Sequence, residues 1–292
     1  MSEAQSQPIR AAVWMIGAIV SFTSMAVAGR AVAFELDTFE IMLFRSLIGV
    51  VIVTSVAFAT GTLHQISRRS LGVHLVRNIS HFTGQNLWFF AITVAPLAQV
   101  FALEFTLPIW AMILAVFVLN EKLTASRVAA AVLGFVGILV VTQPWAGGFG
   151  PGIIPAALAA VGFAGSAVFT RLLTRTESIT CILFWLTSMQ ATLGVLCAGY
   201  DGDIALPSAT TLPWIVLISC AGLVAHFCLT KALTLAPAAV VVPIDFARLP
   251  VIALIGVWLY DEPLALSVVL GAAIIFAANY MNILIEMRKT QK

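Results

Sequence analysis

Apolar stretches of about twenty residues follow one another along this chain, separated by short polar breaks. A helix rises about 1.5 Å per residue, so about 20 apolar residues cross the hydrocarbon core of a bilayer. Ten stretches meet that test: 10–30, 38–60, 71–94, 97–119, 124–143, 151–173, 178–200, 210–235, 237–259 and 264–286. The breaks carry turn chemistry: Pro96, Asn120-Glu121-Lys122, the run from Gly147 to Gly152, Asp201-Gly202-Asp203, Pro237 and Asp261-Glu262-Pro263. The ten-residue alternation of a membrane barrel is not present. The pattern predicts an all-α integral membrane protein of ten transmembrane helices. The run after Arg10 is longer than the core of a signal peptide and is read as the first span, retained in the mature protein.

Composition supports the pattern. Of 292 residues, 61% are hydrophobic and 10% charged, with a mean hydropathy of +1.05. A soluble domain carries about a quarter charged residues, so most of this surface has to face lipid. The net charge of +2 gives no reason to expect nucleic acid or an acidic partner. Cys181, Cys197, Cys220 and Cys228 lie in apolar stretches without metal-ligand spacing and are read as small buried hydrophobes. No metal or cofactor is expected. Basic residues set the orientation: Arg10, Arg68, Arg69, Arg77, Lys122, Arg127, Arg171, Arg175, Lys231, Arg288, Lys289 and Lys292 fall on one side, and Arg30 on the other. The positive-inside rule then puts both termini in the cytoplasm. Arg68/Arg69 and Arg288/Lys289 are read as solvated topology determinants.

The chain repeats itself. At an offset of 141, AITVAPLAQVFALEF from Ala91 meets ALTLAPAAVVVPIDF from Ala232, pairing Pro96 with Pro237, Phe105 with Phe246 and Glu104 with Asp245. At an offset of 145, Gly17, Ser21 and Arg30 meet Gly162, Ser166 and Arg175. These matches divide the chain into residues 1–145 and 146–292, each of five helices. An odd number of spans per repeat turns the second copy upside down, and inverted repeats are a recurrent design of secondary transporters.

With the duplicated five-helix unit, the segment from Asn120 to Ile138 (N-E-K-L, then G-x-x-x-G-I) resembles the EamA domains of the drug/metabolite transporter superfamily. The resemblance spans nearly the whole chain, one unit in each half. Length and aromatic-rich spans are most similar to bacterial amino-acid exporters of the YddG type. That resemblance implies alternating-access export of aromatic and other neutral amino acids, or related metabolites, across the inner membrane. The expected partners are a small-molecule substrate, the lipid bilayer and, if transport is coupled, protons.

Polar residues inside spans mark the candidate chemistry, since they are costly in lipid and face cavities or neighbouring helices. Asn78, His81, Gln85 and Trp88 share one face of the third span. The repeat partner of Gln85 is His226, at a similar depth in the eighth. His81, Gln85 and His226 are candidate substrate contacts, with interhelical hydrogen bonding as the structural alternative. Trp14, on a stripe with Gly17, Ser21, Ser24 and Ala28, and Trp185, with Ser188 and Thr192, are candidate cavity walls, as is Trp88. Gly134/Gly137 and Gly162/Gly165 predict close helix contacts. Four charges lie within spans. Arg45 and Glu104 are at equal depth, roughly 10 Å from the outer helix ends, and are expected to pair. Asp245 and Arg248 are i,i+3 neighbours expected to pair within the ninth helix, flanked by Pro243 and Pro250. These pairs are either structural, or gates, or in the case of Glu104 or Asp245 a proton site.

Other readings remain. A multidrug or cation exporter of the same fold is one alternative. The resemblance to the superfamily implies a comparison with its small four-helix relatives, which depend on a carboxylate in the first span; this first span has none, and Glu104 would have to substitute. A sugar-phosphate carrier would need more basic groups in its cavity than Arg45 and Arg248. A membrane-embedded enzyme would need a nucleophile with a base or a metal motif, and neither HExxH nor GxSxG occurs.

Overall fold

The computed structural model describes residues 7–119, 124–146, 150–200, 202–236, 241 and 244–290. Among these residues the regular structure is entirely helical. The helices are α1 (Pro8–Val32), α2 (Thr38–Ala59), α3 (Leu71–Val94), α4 (Leu97–Glu104), α5 (Leu107–Val118) and α6 (Ala125–Thr142). They continue as α7 (Ile153–Leu173), α8 (Ile179–Ala198), α9 (Leu212–Leu235), α10 (Arg248–Tyr260) and α11 (Leu266–Thr290). Short 3-10 turns lie at Leu63–Gln65 and Pro144–Ala146. Asn120-Glu121-Lys122, Asp201, Pro237 and Pro243 lie outside the described residues.

Among the described residues, seven stretches are long and apolar enough to cross a membrane: Ile9–Val32, Thr38–Ala59, Leu97–Val118, Ile153–Leu173, Ile179–Ala198, Leu212–Ala232 and Leu266–Ile285. The apolar helices Val128–Thr142 and Arg248–Tyr260 are shorter. The 24 residues of α3 have the length, but their line of buried polar side chains lowers the hydropathy. Seven, rather than the expected ten, therefore satisfy length and composition together. Apolar side chains also point outward, as Val13, Ile16 and Val20 do on α1 and Val132, Phe135 and Val136 on α6. Such a surface suits hydrocarbon rather than water.

The expected fourth span, 97–119, is broken. Phe105 and Thr106 form a turn between α4 and α5. The cause is Pro108, which cannot donate to the Glu104 carbonyl and crowds it. The expected ninth span, 237–259, breaks the same way at Phe246–Ala247, ahead of α10; there Pro250 stands four residues after Phe246. The Phe105 carbonyl is freed as well, because Ile109 N turns to the Thr106 carbonyl at 2.9 Å, and Asn279 Nδ2 donates to it at 2.9 Å.

The main packing partners are α1 with α9, α3 with α7, α6 with α11 and α2 with α8. Glycine sets close approaches between helices. A Cβ on Gly162 would lie 2.7 Å from Gly84 Cα, and one on Gly271 would lie 2.8 Å from the Gly137 carbonyl oxygen. Backbones touch at both crossings, as the sequence predicts for Gly137 and Gly162. Trp88, Phe89, Leu97 and Phe101, where α3 meets α4, are among the most deeply buried large side chains.

Candidate functional site

Four helices, α2, α3, α8 and α9, enclose a central cavity of about 40 Å³, room for a few waters at most. Its polar lining is Arg45 and Ser46 from α2, His81 from α3, Thr187 and Gln190 from α8, and Ser219 and His226 from α9. Helical periodicity places these groups. In α3, His74, Arg77, Asn78, His81 and Gln85 recur at three- and four-residue spacing and are buried along one face. The rings of His81 and His226 stand 6.4 Å apart, and His226 meets Phe22 edge-on at 5.5 Å.

Arg45 is the main charge of the cavity. Among the described residues its guanidinium has no carboxylate partner, and its one polar contact is the Met42 sulfur at 3.8 Å. Gly222 gives it room: a Cβ there would lie 3.0 Å from Arg45 Nη2. Thr187 and Ser219 spend their hydroxyl protons on the carbonyls of Leu183 (3.1 Å) and Ile215 (2.8 Å) of their own helices. They offer an occupant lone pairs only. Gln190 donates to the Asn78 carbonyl at 2.9 Å, while its own Oε1 has no partner among the described residues.

The expected pairing of Arg45 with Glu104 is corrected. Helix α2 packs on α8 and α9, whereas α4 packs on α7 and α10, so equal depth does not bring the two charges together. Glu104 instead pairs with Arg248 at 3.1 Å and accepts from Trp88 Nε1 at 2.7 Å. The expected Asp245–Arg248 pair forms at 3.2 Å. Both carboxylates therefore sit on one guanidinium, at the two helix breaks. Phe105 and Phe246, which follow the two acids in the chain, stack at 4.3 Å.

Of the expected substrate contacts, His81 and His226 line the cavity and the others do not. Gln85 is buried one turn from His81, with its Nε2 unpartnered among the described residues. Trp88 is directed to Glu104. Trp14 packs edge-on against Phe227 at 5.7 Å, between α1 and α9. Trp185 donates to the Ser67 carbonyl at 2.7 Å, at the start of α3. Their spacing shows a face but not which helix covers it. Sequence reasoning missed Gln190, Thr187 and Ser219 as lining groups; the only signal was a polar residue in an apolar helix.

Both ends of the bundle are tied. At one end Arg30 Nη1 meets Glu262 Oε1 at 2.5 Å, Arg30 donates to the carbonyls of Ile92 and Ala95, and Glu262 Oε2 accepts from Leu97 N at 2.8 Å. At the same end Glu35 accepts from Ser208 and Thr211, and Glu40 from Ala205 N. The hydrogen bonds from the Thr211 hydroxyl and the Ser208 amide hold the Glu35 carboxyl below its ordinary range. At the other end Ser67 Oγ donates to Glu177 Oε2 at 2.7 Å and holds that carboxyl down as well. One ligand atom each of His74, Glu177 and Cys181 lies within 4.8 Å of the others. A metal there would have to displace Ser67, which contacts both Glu177 and Cys181. Cys181 and Cys228 are buried as expected, but Cys220 is exposed.

A model of the EamA-like transporter family matches residues 9–143 and again 150–284. An S-adenosylmethionine uptake transporter of Rickettsia felis is 26% identical over 275 residues, covering 94% of this chain and 92% of that protein. A riboflavin transporter of Rhizobium johnstonii is 31% identical over 222 residues, covering 75% of this chain and 72% of that one. A solved crystal structure at 21% identity superimposes with a TM-score of 0.65 over 95% of this chain and 97% of its own, which shows a shared fold.

Proposed function

This chain belongs to the EamA-like transporter family, and we propose that it carries a small metabolite with an amino-acid head group through the central cavity by alternating access. The observation that carries this reading is Arg45, a guanidinium with no carboxylate partner among the described residues, in a cavity walled by His81 and His226. A cation held away from water is costly unless an anion meets it. A substrate carboxylate is planar and takes a guanidinium bidentately. The lone pairs of Thr187 and Ser219 suit the ammonium of the same head group.

Ten spans, with both termini cytoplasmic in a bacterial inner membrane, are part of the proposal. So is the division at 1–145 and 146–292 into inverted repeats. Exchanging the halves maps α1 on α9 into α7 on α3 and leaves α2 with α8 and α6 with α11, which supports a two-fold relation. With about 40 Å³ the cavity is too small for a metabolite, and both ends are tied. The structure is read as an occluded state from which the repeats rock apart.

Substrate identity is the finer part of the reading. The resemblance to amino-acid exporters implies export of aromatic and neutral amino acids. Relatives named for S-adenosylmethionine uptake, a substrate that itself bears an amino-acid head group, support the same chemistry with a larger side chain. The relatives' names also favour a transporter over an enzyme. Counterflow of labelled S-adenosylmethionine, tryptophan and riboflavin into proteoliposomes tests it. Head-group substrates are expected to exchange, and Arg45→Ala to slow exchange about tenfold or more, as for a lost charge-assisted bond. Exchange of riboflavin alone, or full activity in folded Arg45→Ala protein, would overturn the proposal.

A further inference from the structure

The Arg248 guanidinium does not simply close an ion pair. Its carbon lies 4.6 Å from the ring centre of Phe22, 5.3 Å from that of Phe101 and 4.9 Å from that of Phe105. Glu104 and Asp245 supply two carboxylates to this single cation, leaving one formal negative charge in excess among them. The fit is incomplete on both sides: Asp245 Oδ1 and Arg248 Nε are buried without hydrogen-bond partners among the described residues. Aromatic faces with carboxylates behind them are the surroundings that bind alkylated onium ions, which are weakly hydrated and attracted to ring faces. A guanidinium, also weakly hydrated, is a fair substitute for such an ion.

We propose that the Phe22–Phe101–Phe105 cage with Glu104 and Asp245 is a binding site for the onium group of a substrate, a sulfonium or alkylated ammonium, and that Arg248 occupies it in the occluded state. The inference rests on the carrier reading above. Phe22 connects the two places, since it touches His226 on the cavity side and Arg248 on the cage side. A substrate whose carboxylate meets Arg45 thus directs its side chain past Phe22 into the cage. The unwound residues 105–106 and 246–247 flank the site and give Arg248 and the acids freedom to part. Discontinuous helices at corresponding points of two repeats are where transporters place substrate.

S-adenosylmethionine and S-adenosylhomocysteine differ by one methyl group and one positive charge on sulfur, so their relative binding to the purified full-length protein isolates the cage. The sulfonium compound is expected to bind about tenfold tighter, a cation–π-sized preference. Glu104→Gln and Asp245→Asn should abolish the preference. As these variants leave Arg248 with less countercharge and could fail to fold, Phe101→Leu is the second test: it removes a ring face without touching charge and should also shrink the ratio. Arg248→Gln, by removing the occupant, should raise the ratio, whereas a purely structural arginine would lower both affinities alike. Equal binding of the two compounds to wild type overturns the onium site and leaves the Arg45 carrier standing. Binding of neither, with Arg45-dependent exchange of tryptophan, does the same. Exchange of no head-group substrate at all overturns both readings.

Discussion

At the scale of single residues, Glu35 ties the loop after α1 to the segment before α9 by accepting from the Ser208 amide and hydroxyl and from Thr211. Its folded-state pKa is lowered by the Thr211 hydroxyl and the Ser208 amide. A depressed carboxylate contributes stability that is fully present above the ordinary value of 4.5 and is lost as pH falls through the lowered one. Glu35→Gln is therefore expected to melt below wild type at neutral pH. The gap in melting temperature should close in acid, and a gap independent of pH would show that the carboxylate charge is not what holds the loop. The residue scale is also where the sequence was read most unevenly. His81 and His226 were legible because a polar side chain at mid-helix in an apolar segment has few destinations. Arg45 was legible as important but not in its partner: depth along a helix follows from counting residues, and the azimuth at which two helices meet does not.

At the scale of elements, the breaks after Glu104 and Asp245 carry the most information. Both follow from proline chemistry, since Pro108 and Pro250 each remove one backbone donor and crowd the carbonyl four residues earlier. Pro250 stands out in the sequence as flanking the Asp245–Arg248 pair; Pro108 signals a break in the same way but lies in a segment so apolar that the hydropathy pattern passes straight through it. The freed carbonyl of Phe105 is met by Asn279 from α11, a contact between residues 174 apart that only the tertiary structure shows. Asn279→Leu keeps the branched outline of the side chain, though not its volume, and strands that carbonyl in a buried place. It should cost about 1–3 kcal/mol of stability, read as a lowered thermal midpoint in detergent. A midpoint equal to wild type would mean that another donor reaches the carbonyl. The glycine crossings were legible as a pattern of small residues. Which helix each glycine touches was not, because Gly162 meets Gly84 from the opposite half of the chain.

At the scale of the whole molecule, access to the central cavity is controlled by what ties each end shut. On the Arg30 side, the outer one in the proposed topology, a single carboxylate holds three pieces together. Glu262 pairs with Arg30 at the end of α1 and caps the first amide of α4, while Arg30 reaches back to the carbonyls that end α3 and stacks 4.5 Å over Tyr260. Charge-assisted bonds of this kind contribute about 1.5–3 kcal/mol each, enough to shift an open–closed equilibrium by tenfold or more. The partners come from helices at opposite ends of the sequence, so rocking the halves apart has to break them. Glu262→Gln is then expected to favour the state open to the outside. In protein with Cys181, Cys197, Cys220 and Cys228 replaced, a cysteine at Ser219 reports on the cavity. A membrane-impermeant maleimide added outside should label it several-fold faster in the Glu262→Gln background, with labelling from inside slowed. Unchanged labelling from both sides would place the energetic lock elsewhere, with the Ser67–Glu177 contact at the other end the next to remove. Faster labelling from inside alone would reverse the orientation assigned from the basic residues, because the Arg30 end would then be the cytoplasmic one.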